Sequence, residues 1–364
     1  MSRYFYYFTL VNMVTTMTAS MPKILIGKSK EGALLSMLLS VAAGILFCYI
    51  CGRFFQRYPG KDYMELLNAA VPKAVASPFL LILAVVWFTA GLLSLVTYSF
   101  YIKRFMAPNT HLAFLVSLII VIIYYGALMK TKSVLYTIEI ISLVTIPLIL
   151  LLILKAYNSE EFVWDFVKES FMYYKHAPSY RAFSAAVFVF WGPLNLILFN
   201  RVLKKKQSMN WKSLLFLGTA GAWTVFANYF LILGIQGFEH ADKIVYPIMF
   251  TADSLFFQYG VVERVLFIAV LLSFTVSFAS ILTYWHVAIE VCKKVITIKR
   301  WSWKGHNLIP HFIMIVFWLI SLKAVTYLNE YQLLEYTGYF YDIFPVLVIM
   351  FLLSFWRIRQ KVKV

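Results

Sequence analysis

Long apolar stretches separated by short polar ones set the rhythm of the chain. A helix needs about 20 mainly apolar residues to cross the hydrocarbon core of a bilayer. Runs of that kind fall at 5–21, 32–52, 79–102, 112–129, 133–154, 182–200, 213–236, 264–289, 308–328 and 338–356. The pattern predicts an all-α integral membrane protein with ten transmembrane helices. Most connections are short, and the longer ones (53–78, 155–181, 237–263 and 290–307) are too small to hold a further domain of any size. Residues 1–364 therefore read as a single transporter-like membrane domain.

Composition sharpens this. The chain is 62% hydrophobic, 18% aromatic and 13% charged, against about 25% charged residues in a soluble domain. Surface grows too slowly with size for a water-soluble fold to hide so much apolar side chain. Soluble enzymes, disulfide scaffolds and disordered chains are excluded together. Cys48 and Cys51 have CxxC spacing without a second pair, and with Cys292 they read as inert thiols in or beside apolar runs. No small-residue cleavage site follows the first residues, so no removable signal peptide is expected.

The net charge of +17 is segregated rather than spread. With the N-terminus in the cytoplasm, 21 of the 33 basic residues fall on inner segments. Of the acidic residues only Asp62, Glu65 and Glu290 do; twelve lie outside, and Glu139 is left within a span. The positive-inside rule then places both termini in the cytoplasm. The basic excess needs no nucleic acid to explain it. Lys204-Lys205-Lys206 reads as an inner anchor on anionic lipid, and Trp164, Trp211, Trp301, Trp303 and Trp356 fall near expected interfaces.

Two spans are interrupted. The first runs through Asn12, Thr15, Thr16, Thr18, Ala19 and Ser20 to Pro22, a polar and β-branched stretch ended by proline. The sixth carries Trp191-Gly192-Pro193-Leu194-Asn195 near its middle. Proline removes a backbone donor, and hydroxyl side chains can satisfy the groups it frees. The interruptions lie five spans apart, so the two halves run in opposite directions. Residues 61–76 after span two and 243–261 after span seven match as mixed, amphipathic connections. This predicts a five-plus-five inverted repeat, about 1–156 and 181–357, with broken helices 1 and 6. Matched interruptions in inverted halves are the best sequence pointer to a transporter-type binding site.

These residues resemble the spore germination permeases, the B-type subunits of nutrient germinant receptors within the amino acid–polyamine–organocation transporter superfamily. The resemblance runs through Met17–Leu25 with Met21-Pro22-Lys23, Tyr58-Pro59, Gly126 to Glu139, Phe190-Trp191-Gly192, Tyr246-Pro247, Glu263-Arg264 and Lys293-Lys294. It implies a ten-helix transporter-like fold with a small nutrient (amino acid, sugar or nucleoside) bound between broken helices 1 and 6. It also implies an A-type membrane subunit and a C-type lipoprotein as partners, in the inner membrane of the spore. The chain departs from the family in three places. Its first broken helix is Thr/Ser-rich rather than Gly-rich. Leu194 and Asn195 replace a frequent carboxylate after the glycine of helix 6, and Leu266 stands where an acidic residue follows the Arg of span eight.

The residues suggest how a ligand would be held. Thr15, Thr18, Ala19 and Ser20 supply hydroxyls and close backbone approach; Trp191, Gly192 and Asn195 supply an aromatic wall, exposed backbone and an amide. Ser277 and Ser280, one turn apart on span eight, either face the same cavity or pack between helices. Glu139 has three readings: a structural ion pair with a cytoplasmic Lys or Arg, a protonatable coupling or gating group, or a snorkelling surface carboxylate. Glu263-Arg264 either pairs with outer neighbours or the A-type subunit, or is an ordinary helix start. His286 beside Trp285 reads as a packed interfacial histidine.

No HExxH, GxSxG, P-loop or dinucleotide fingerprint occurs, no metal-ligand spacing of His is present, and no cofactor is implied. The expectation is a non-enzymatic, ligand-sensing subunit that triggers germination. The alternative is a proton- or sodium-coupled amino-acid transporter, and a third reading is a scaffold with a vestigial pocket.

Overall fold

In a computed structural model, residues 3–203, 209–256, 263–296, 302–303 and 306–362 are described. Each of the ten apolar runs falls on helix. The first is divided between α1 (Arg3–Thr18) and α2 (Met21–Gly27), and α3 (Ala33–Arg57) carries the second. A short α4 (Tyr63–Ala70) leads to α5 (Lys73–Phe105), α6 (Leu112–Ala127) and α7 (Thr131–Tyr157). After the connecting α8 (Trp164–Ser170), the sixth run is built from α9 (Tyr180–Val187), 3₁₀ turns and α10 (Leu196–Phe199). Then come α11 (Trp211–Gln236), α12 (Phe238–Ala241), α13 (Pro247–Asp253) and α14 (Val265–Val295). A two-residue hairpin, Ser302–Trp303 with His306–Asn307, precedes α15 (Ile309–Tyr327) and α16 (Glu330–Lys361).

Seven of these helices are long and apolar enough to span a bilayer, and the bent sixth run makes an eighth. The other two candidates fall short for visible reasons. α6 has 16 residues, roughly 24 Å at 1.5 Å per residue, against a hydrocarbon core of about 30 Å. α1 is equally short, and its last turns are rich in threonine.

The surface of the bundle is apolar, as lipid requires. On α7, Ile140, Leu143, Val144 and Leu151 point outward and stay exposed. Helices in lipid gain little from burying leucine against leucine, so small residues that admit close approach decide the packing. Phe190 lies between Gly44 of α3 and Gly221 of α11, and a Cβ at either glycine would collide with its ring. Gly91 of α5 likewise admits Trp285 of α14, and α5 with α14 forms the most extensive helix pair.

Packing partners recur with a shift of five spans. α1 packs on α7, and α9 packs on α16. α3 packs on α9, and α11 packs on α1. The short α4 rests on α10, the second half of span six, while α13 rests on α2, the second half of span one.

Ion pairs sort by side. Among the described residues, each pair except Arg3 with Glu139, an acid left within a span, joins groups that the charge pattern assigns to the same face. The three acids assigned inward engage cations assigned inward: Asp62 and Glu65 meet Lys294, and Glu290 meets Arg201 and Lys293. Of the groups assigned outward, Lys23 pairs with Asp242, Arg104 with Glu330 and Arg181 with Asp342. Trp164, Trp211 and Trp356 are exposed, as interfacial rings should be. Lys204, Lys205, Lys206, Lys299, Arg300, Trp301, Lys304 and Lys363, the end of the 243–261 connection and the side chain of Trp303 lie outside the described residues. The three cysteines are free, with Cys48 and Cys51 buried.

Candidate functional site

Two prolines create the site. An α-helix bonds each N–H to the carbonyl four residues earlier, so Pro22, lacking an N–H, leaves Thr18 O without its helical donor. The chain turns at Ala19 and Ser20, between α1 and α2. Other helices fill the gap: the Tyr101 hydroxyl donates to Thr18 O at 3.0 Å, and Asn228 Nδ2 donates to Met17 O at 2.8 Å. Tyr98 donates to Thr15 O at 3.4 Å and its hydroxyl also shares a bond with Thr18 Oγ1. Three of the four carbonyls in the last turn of α1 are thereby met by side chains from α5 and α11.

Pro193 does the same to span six. Residues Tyr180–Phe190 and Gly192–Val202 form two segments bent by 50°. Val189 O would accept from residue 193 in a regular helix; instead Asn12 Nδ2 donates to it at 2.9 Å and to Phe188 O at 2.8 Å. The Tyr284 hydroxyl in turn donates to Asn12 Oδ1, so the whole amide is engaged. At the bend, a Cβ on Gly192 would fall on the backbone of Phe8 and Thr9. Glycine is what lets spans one and six touch.

Between these breaks lies a small cavity enclosed by α1, α5, span six, α14 and α16. Six serine and threonine side chains line it: Thr15, Thr16, Ser20, Ser94, Thr97 and Thr337. Its remaining walls include the rings of Phe188, Tyr284, Phe340 and Tyr341, with Ala19 at the break itself. The volume is about 20 Å³, room for a single water. Several of the hydroxyls spend their proton on their own helix: Ser94 on Ala90 O at 3.0 Å, Thr97 on Leu93 O at 2.8 Å and Thr337 on Leu333 O at 2.7 Å. A hydroxyl whose proton is spent in this way keeps its lone pairs for accepting. Ser20 Oγ is buried without any partner, and such orphans are uncommon enough to call for an explanation.

The structure brings Thr15, Ala19 and Ser20 onto this cavity. Ser280 reaches it indirectly, through a 2.7 Å bond to Thr15 Oγ1. The other sequence candidates are engaged in packing. Thr18 faces the opposite side of the break, onto a separate apolar cavity with Met17 and Thr251. Trp191 is buried against Trp87, Phe188 and Phe344, and its Nε1 has no partner. Asn195 accepts from Trp87 Nε1 at 2.9 Å, and Ser277 bonds back to Ser273 O at 2.8 Å.

Glu139 stands apart from the cavity. Its carboxylate meets Arg3 Nη1 at 3.0 Å and the Tyr4 hydroxyl at 3.0 Å, close to the first residues of α1. His286 is buried between Ala127 O at 2.8 Å and Thr131 Oγ1 at 3.0 Å. Arg264 caps the start of α14 and forms an isolated backbone bridge with Phe256. Among the described residues, no group of three His, Cys, Asp or Glu could hold a metal.

The sequence reading missed Asn12, Asn228 and Tyr101 as the donors that close the breaks, and Thr16, Ser94, Thr97, Thr337 and Tyr341 as lining. A signal existed for some of them. Asn12 and Asn228 are amides inside apolar runs, and Ser94 and Thr97 are three apart, which places two hydroxyls on one helix face.

No curated protein matches the chain. A family described as spore germination protein matches residues 3–327, which is most of the chain and includes both breaks and the cavity lining other than Thr337, Phe340 and Tyr341. The protein belongs to the spore germination protein family, the spore permeases, and is a multi-pass membrane protein of that family.

Proposed function

We propose that this chain is the ligand-sensing membrane subunit of a nutrient germinant receptor, with the cavity between the two helix breaks as its binding site. The observation that carries the reading is the convergence of both breaks on a hydroxyl-lined space containing the orphan Ser20 Oγ. The recurrence of packing partners five spans apart supports a ten-span, five-plus-five inverted repeat, with repeats of about 1–156 and 181–357. The sorting of ion pairs supports a single orientation, with both termini cytoplasmic in the inner membrane of the spore. An A-type membrane subunit and a C-type lipoprotein complete the receptor in this reading.

Signalling follows from the size of the cavity. A space that holds one water cannot hold a nutrient of several heavy atoms. The described conformation is then the unliganded, closed one, and the nutrient binds a wider arrangement in which spans one and six separate from α5 and α16. A ligand moves such an equilibrium only by its differential affinity; going from 1:99 to 99:1 takes about 5.5 kcal/mol. The rigid reference for that movement is the α5–α14 pair, locked by Trp285 against Gly91.

The test uses spores. Thr97→Val and Ser94→Ala each remove one hydroxyl from the lining. Each should raise the nutrient concentration for half-maximal germination by roughly threefold to tenfold, the value of about one hydrogen bond. Unchanged dose responses in both variants, at normal protein level in the spore membrane, would leave the scaffold reading standing instead.

A further inference from the structure

Resting on the reading of this cavity as the nutrient site, we infer that its ligand is an uncharged, polyhydroxylated solute of the sugar type, rather than an amino-acid zwitterion. The argument concerns what each end of the ligand would meet. A broken-helix site ordinarily offers an ammonium or a cation the carbonyls freed at the breaks. Here four of those carbonyls are already engaged: Asn12 takes Phe188 O and Val189 O, Asn228 takes Met17 O, and Tyr101 of α5 takes Thr18 O. The first three bonds involve neither α5 nor α16, so they persist when spans one and six move away from those helices. The Asn12 amide cannot easily leave, because Tyr284 holds its other end.

The side chains agree with the backbone. No lining residue is a carboxylate, an amine or a guanidinium. A carboxylate would find no cation and an ammonium no anion, and burying a charge without a partner is far more costly than burying a hydroxyl. The cavity offers instead hydroxyl oxygens in acceptor mode on Ser94, Thr97 and Thr337, a free hydroxyl on Ser20, and aromatic faces on Phe188 and Phe340. Hydroxyl donors of a pyranose suit those acceptors, and its C–H faces suit the rings.

The experiment uses the full chain, purified and reconstituted in nanodiscs, with thermal unfolding as readout. The probes are D-glucose, D-fructose and inosine as uncharged solutes, and L-alanine, L-valine and L-asparagine as zwitterions. Stabilisation by at least one uncharged probe and by none of the amino acids is expected, weakened at least threefold in apparent affinity by Thr97→Val. Ser94→Ala serves as a second variant, and the unfolding midpoint of each variant without ligand shows that it has folded. Stabilisation by an amino acid, lost in the same variants, would keep the site and overturn its ligand class. No stabilisation by any probe, or stabilisation indifferent to both variants, would overturn the class and the site together.

Discussion

Asn12 replaces the hydrogen bond that Pro193 removes. Its Nδ2 lies 2.9 Å from Val189 O and 2.8 Å from Phe188 O, more than 170 residues away in sequence. The bend in span six is therefore secured from span one, and the two interruptions are one structural unit. Asn12→Leu keeps the volume and loses the donors, leaving Val189 O and the Tyr284 hydroxyl unpaired, while Phe188 O keeps its bond from Trp191 N at 2.9 Å. Each such group costs about 1–3 kcal/mol, so a clear drop in the unfolding midpoint in detergent is expected. Pro193→Ala returns an N–H four residues beyond Val189. The double variant should therefore be more stable than the sum of the single changes, by about 0.5–3 kcal/mol of coupling. Strict additivity would show that Asn12 and Pro193 act independently.

Phe190 against Gly44 and Gly221 gives a second test. The ring occupies the space where a Cβ on either glycine would stand. Overpacking of a filled core costs typically about 1–3 kcal/mol. Gly44→Ala and Gly221→Ala should each lower the unfolding midpoint, and Phe190→Leu should relieve either one. If both alanine variants melt with the native protein, α3 and α11 do not clamp span six.

How much of this was legible beforehand depends on the range of the signal. The breaks were readable because Pro22 and the Gly192-Pro193 pair delete local backbone donors, a consequence of sequence alone. The pairing of Asp62, Glu65 and Glu290 with Lys294, Arg201 and Lys293 was readable as a grouping because the charge pattern assigns all of them to one side. The donors that repair the breaks were not: Tyr101 and Asn228 act on α1 from 83 and 211 residues away, and no local pattern records such a pairing. Trp191 and Asn195 illustrate the opposite error. Lying at a break suggested a ligand wall, yet Trp87 fills the space beside them both, packing at a tilt against one and bonding to the other.

Asp62 holds two elements at once. It caps α4 by accepting from Glu65 N at 2.9 Å, and its other oxygen pairs with Lys294 at the end of α14. Its side chain is only 1% exposed, whereas Lys294 is 31% exposed. Asp62→Asn keeps the cap and loses the charge; Asp62→Ala loses both. With Lys294 able to lean on Glu65 at 3.2 Å, the alanine variant should lose about 2–4 kcal/mol, and the asparagine variant clearly less. Equal losses, measured by thermal unfolding, would mean that the cap contributes nothing.

Glu139 is the acidic residue left within a span, and its surroundings favour anchoring over coupling. Arg3 at the start of α1 meets one oxygen and the Tyr4 hydroxyl the other. Both partners belong to the exposed beginning of the chain, away from the cavity and from either break. Glu139→Gln still offers an oxygen to Tyr4 and gives up only an ion pair whose arginine is 62% exposed, the kind of pair that contributes little. The variant should germinate with the native nutrient dose response in mildly acidic and in mildly alkaline buffer alike. A response that loses its pH dependence, or that shifts tenfold in one buffer only, would instead make Glu139 a titrating part of the switch and require a proton path that α1 and α7 would have to supply.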